Sequence, residues 1–208
     1  MKNRIFIGIT FAVIVLLLFI PQQLAIKSSK ATIDSFKPSL ESATLQSNIL
    51  YNSFMFAIMN DGINLEKLRN IIVERNNKNI PTNINKPFFI IYIPYSGGGC
   101  SSCIDYAINS VKEFFDDFSE NDQFIIISQG KNPYVNSRNY RKPILHDVED
   151  SYGLHLINNS ENKPFYFILG DNSEASIFFA PNASMPDLTK RYLTIVMNRY
   201  FSETAILK

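Results

Sequence analysis

The sequence predicts an α/β fold in which a core sheet, ordered β-α-β-α-β-β-α and flanked by helices, follows an N-terminal transmembrane segment. Three observations predict it. Apolar runs at Phe88–Ile93, Phe124–Ser128 and Phe165–Leu169 are uninterrupted, as in strands buried on both faces. Ile104, Ala107, Ile108, Val111, Phe115 and Phe118 recur at three- and four-residue spacing, the stripe of an amphipathic helix. Gly170-Asp-Asn-Ser173 separates two apolar runs and reads as a hairpin turn.

The 208 residues, with net charge +1 and 46% hydrophobic content, suffice for one compact domain plus a membrane element. Near-neutral charge without a clustered basic face excludes a nucleic-acid binder. Residues 1–26 stand apart. Met1-Lys-Asn-Arg4 precedes an uncharged run from Ile5 to Ile20, and Leu24-Ala-Ile26 extends it past Pro21. With that extension, residues 5–26 reach the length of about 20 residues that a bilayer requires. A small-x-small site, Ser29-Lys30-Ala31, lies far beyond the apolar run, so an uncleaved signal-anchor is favoured over a cleaved signal. The short basic N-terminal tail resembles the start of an export signal. It places the C-terminal domain outside the cytoplasm, on the periplasmic or extracellular face of the cell membrane.

Residues 27–86 read as a helical stalk or packing extension. Ser28 to Ser39 is polar and reads as a linker. Leu45, Ile49, Leu50, Phe54, Ile58 and Met59 suggest one helix, broken at Asp61-Gly62, and Leu65 through Arg75 a second. Asn76 through Asn85 is a loop.

From residue 87 the order is regular. Strand Phe88–Ile93 leads into helix Cys100–Phe118 and strand Phe124–Ser128. Short elements fill 133–156: a polar turn or helix around Tyr134–Tyr140, a brief Ile144-Leu145, and a helical turn near Val148–Tyr152 closed by Gly153. Pro164 opens strand Phe165–Leu169, Ser176–Ala180 is the return strand, and helix Asp187–Phe201 closes the domain. The connectivity implies two parallel crossover units, then an antiparallel hairpin and a covering helix.

Cys100 and Cys103 are the only cysteines. They fall where a buried strand turns into a helix, and free backbone N–H groups at a helix N-terminus stabilise a thiolate. A zinc site needs two further ligands, and only His146 and His155 remain, in a polar stretch. A static bridge closing so short a loop removes little unfolded-state entropy. Thiol–disulfide chemistry is the reading that uses the spacing.

Cys100-Ser-Ser-Cys103 at a strand-to-helix junction, Lys163-Pro164 ahead of an apolar strand, and Asp150-Ser-Tyr-Gly-Leu154 between them carry a resemblance. Residues 87–202 resemble the thioredoxin-like superfamily, and within it the membrane-anchored, extracytoplasmic thiol-disulfide oxidoreductases of bacteria, the TlpA/ResA-like redoxins. The resemblance implies a thioredoxin-like domain over 87–208 and electron exchange with protein thiols and disulfides. It implies no cofactor and no metal. Cys100 would form the mixed disulfide and Cys103 resolve it. Lys163 and Pro164 would meet the substrate protein, with the Lys163–Pro164 bond cis and packed against the cysteine pair. Departures are visible. The chain has no tryptophan, Gly97-Gly-Gly99 precedes Cys100, and strand Phe88–Ile93 carries no acid. They imply a specialised redox protein. Two rival functions remain open: a non-catalytic binding or assembly protein with a resting disulfide, and a copper-delivery redoxin that adds His146 or His155. A peroxiredoxin is disfavoured, because its Pro-x-x-x-Thr-x-x-Cys pattern is absent.

Overall fold

The computed structural model describes residues 34–77, 86–94, 100–130, 132–138, 140–147, 152–154, 157 and 163–201, with 27 and 30. The chain divides into two compact units, Met1–Tyr51 and Asn52–Lys208. Helix α1 covers 34–60. Then follow β1 (Ile63–Asn64), α2 (Glu66–Asn77), β2 (Phe88–Ile93), α3 (Ser101–Phe114), β3 (Phe124–Gln129), α4 (Pro133–Ser137), β4 (Ile144–Asp147), β5 (Phe165–Leu169), β6 (Glu174–Phe179) and α5 (Pro186–Val196). A π-helical turn, Met197–Phe201, extends α5.

In the first unit, the α1 side chains Phe36, Leu40, Leu45, Leu50 and Tyr51 are exposed. Residues 34–39 are helical rather than linker, since polarity reports exposure and not conformation. Among the described residues no helix is long and apolar enough to cross a membrane. The expected span, residues 5–26, lies outside the described residues.

The second unit is built on a six-stranded sheet in the order β1-β6-β5-β2-β3-β4. β2 and β3 run parallel through α3, and β3 and β4 run parallel through α4. β5 is antiparallel to β2, with Tyr92 opposite Phe165, and forms a hairpin with β6. The second parallel crossover therefore ends on β4, not on β5 as the connectivity suggested. Legible only as a brief Ile144-Leu145, β4 takes the edge beside β3. β1 adds the opposite edge, pairing antiparallel with β6.

Both faces of the sheet are covered, which is why β2 and β5 carry only aliphatic and aromatic side chains. Phe89, Ile91, Ile93, Phe124 and Ile126 pack with α3 and α5. Phe88, Ile90, Tyr92, Ile127 and Phe167 pack with Leu65, Leu68 and Ile72 of α2 and its approach. The segment 63–77 thus completes the core. Gly62, at φ +79, turns the chain out of α1 and donates its N–H to Ala175 O at 2.8 Å. The buried Arg69 locks the segment in place, donating to Gly170 O at 2.6 Å and Lys86 O at 3.4 Å with its guanidinium over the Phe88 ring.

Helix α3 ends earlier than its apolar spacing indicates. Phe115 leaves the helix at φ −114, ψ 108, and its N–H returns to Val111 O. Phe115 and Phe118 still enter the core from the turn that follows, so the helical spacing continues where the helix does not.

Candidate redox site

The site forms where β2 ends and α3 begins. Cys100 is the N-cap of α3 and Cys103 lies in its first turn, and the two form a disulfide with Cα atoms 5.2 Å apart. That separation is well inside the range a disulfide spans. Cys100 O accepts from Cys103 N at 3.0 Å and Ile104 N at 3.2 Å. Cys100 Sγ accepts a further bond from Cys103 N at 3.3 Å and lies 3.1 Å from Ser102 Oγ. Sulfur stands here where a capping oxygen usually does. The first turn carries no acidic side chain to oppose a thiolate. Cys100 is exposed and Cys103 half-buried, while Ile104, Ala107 and Ile108 anchor the helix behind them. The hydroxyl of the buried Tyr166, on β5, donates to Ala107 O at 2.5 Å and ties the helix to the sheet beneath.

Pro164 is buried immediately before β5, and Lys163 is exposed. Since Phe165 pairs with Tyr92, both fall at the end of β2 from which the chain departs toward Cys100. The expected cis geometry is not found: no cis peptide bond occurs among the described residues, Lys163–Pro164 included. The trans form is intrinsically favoured by about 0.5–1 kcal/mol. Its presence withdraws one of the local features that the sequence resemblance implied. His146 places Nδ1 3.1 Å from Gly130 O, and His155 lies outside the described residues, as do 148–151. No three His, Cys, Asp or Glu side chains converge as metal ligands among the described residues.

A second cluster borders the cysteines and was not foreseen. Asp105, on α3, accepts from the Tyr134 hydroxyl and from Tyr140 OH at 3.3 Å. It also pairs with Arg138 Nη2 at 3.5 Å, and Arg138 donates in turn to Tyr134 OH at 2.8 Å. The bond to the Tyr134 hydroxyl, followed by the charges of Tyr134 and Asp105, holds the Arg138 guanidinium even more firmly protonated than usual. Burial, with the Asp105 charge second, pushes the Tyr140 phenol up. Asn132 sets the geometry by capping α4, its Oδ1 taking Tyr134 N at 3.0 Å and Val135 N at 3.4 Å. Tyr134 and Arg138, four residues apart on a polar segment, were the available sequence signal. Nothing local tied them to Asp105. The Ser102 hydroxyl, which also reaches the Cys100 sulfur, gave no signal of its own in the sequence.

No family model and no curated protein matches the chain. Solved structures do resemble it at low identity. A thioredoxin-like protein in its oxidised form is 19% identical over 55% of this chain and 80% of its own, with a TM-score of 0.36. A candidate thiol-disulfide oxidoreductase from Bacteroides vulgatus is 15% identical over 54% of this chain and 76% of its own, also at 0.36. An uncharacterised thioredoxin-like protein from Porphyromonas gingivalis is 18% identical, covering 58% of this chain and 82% of its own, at 0.38.

Proposed function

We propose that this chain is a thioredoxin-like thiol-disulfide oxidoreductase, anchored in the cell membrane by residues 5–26, with its redox domain outside the cytoplasm. One observation carries the reading: the only two cysteines form a disulfide at the N-cap of the helix that leaves a central strand. In the reduced chain the Cys100 thiolate attacks a partner's disulfide, forming a mixed disulfide and releasing one partner thiolate. Cys103, deprotonated by solvent, then attacks Cys100 Sγ, expels the second partner thiolate and restores the Cys100–Cys103 bond. Two electrons pass to the partner, whose thiolates take protons from water. Lys163 and Pro164 meet the partner's extended backbone at the mouth of β5. Without a cationic side chain between the cysteines, thiolate stabilisation is modest and the couple is reducing in character.

Expressed in cells, Cys103→Ser should accumulate mixed disulfides in the membrane fraction, and Cys100→Ser should not. Trapping by both variants equally would reverse or void the assigned roles. A folded chain that traps nothing is the behaviour of a binding protein with a resting disulfide, and would end the redox reading.

A further inference from the structure

Asp105 follows Cys103 by two residues and Cys100 by five. At 1.5 Å of rise per residue, its Cα stands about 3 Å along the axis from that of Cys103 and about 7.5 Å from that of Cys100. Both separations lie within the Debye length of about 8 Å at physiological ionic strength. A bare carboxylate so placed repels a Cys100 thiolate and raises the thiol pKa. This carboxylate is not bare. Arg138 stands 3.5 Å away, and the Tyr134 and Tyr140 hydroxyls both donate to it.

We propose that Asp105 and Arg138 form a charge-compensated pair that sets the reactivity of the cysteine thiols. Asp105 is a positioning residue that draws α4 and Tyr140 against the first turns of α3. Arg138, half exposed, cancels its field at Cys100. Each charge alone would move the Cys100 thiol, in opposite directions, and together they leave the helix N-terminus to govern it. Among the described residues, two other titratable groups lie nearby: Tyr106, next on α3, and Lys163, at the same end of the sheet. They are common to every variant below, so differences between variants report the pair. The inference rests on the redox reading for its biological meaning, not for its measurement.

The test is the pH profile of alkylation of the reduced full-length chain, in a Cys103→Ser background so that one thiol reports. Asp105→Asn should lower the Cys100 midpoint and raise the thiolate fraction below it about twofold, the Coulomb effect of one charge roughly 10 Å away at a hydrated site. Arg138→Met should move it by a similar factor in the opposite direction, and the double variant should return to the parent value. Both shifts should shrink in 1 M salt, where the Debye length is about 3 Å. Shifts of the same sign, no shift, or a double variant that fails to restore the parent value would overturn the pair and leave only a structural clasp. Because the readout is a thiol titration, a chain that exchanges no disulfide yet shows opposed shifts would sink the redox reading and leave the pair standing.

Discussion

At the residue scale, the clearest local test of the packing is a lysine. Lys142 donates to Phe118 O at 2.9 Å and Asn121 O at 2.7 Å, with its ammonium over the Phe118 ring. It pins the turn that leaves α3, at the far end from the cysteines. Burial lowers its pKa to about 8, against the opposing charges of Asp122 and Asp117. The folded value therefore lies below the unfolded one of about 10.4. Between the two, the unfolded chain binds more protons, so this group makes stability rise with pH from about 8 toward 10. Ionisation of other groups overlaps that window, so the difference from Lys142→Met isolates the lysine. Urea midpoints should climb more steeply with pH for the parent than for the variant, and parallel curves would contradict the burial of this charge.

At the element scale, α2 takes the packing role that the sequence left open beside that of a stalk. Leu68 is wholly buried among Leu65, Ile72 and the strand residues of the second face. Leu68→Ala should cost about 2–5 kcal/mol in urea unfolding, as buried leucines do. A loss below about 1 kcal/mol would mean that the segment is a stalk after all. β2, β3, β5 and α3 were legible because each carries its own signal: a continuous apolar run, or a stripe at helical spacing. β1 was not, and β4 only as the brief Ile144-Leu145, because Ile63–Asn64 and Ile144–Asp147 owe their pairing to β6 and β3 beside them. The antiparallel setting of β5 was hidden for a related reason. A strand buried on both faces looks alike in either direction.

At the scale of the whole molecule, the cysteine pair could be read from the chain because its parts are adjacent in sequence. The Asp105, Tyr134, Arg138 and Tyr140 cluster could not, since its members meet only after α3 and α4 have packed. The sheet gives the disulfide a rigid platform: Tyr166 holds α3 from below, and Pro164 and Lys163 fall at the strand end from which the chain runs to Cys100. Such a platform makes chemical sense only if the bond opens and closes without unfolding the domain around it. Equilibration of the full chain in dithiol–disulfide buffers of graded potential, quenched by alkylation, measures this directly. A single two-electron transition between intact folded forms, at a potential above the range of about −300 mV and below where structural disulfides lie, is the predicted result. A bond that stays oxidised until the fold is lost would contradict it.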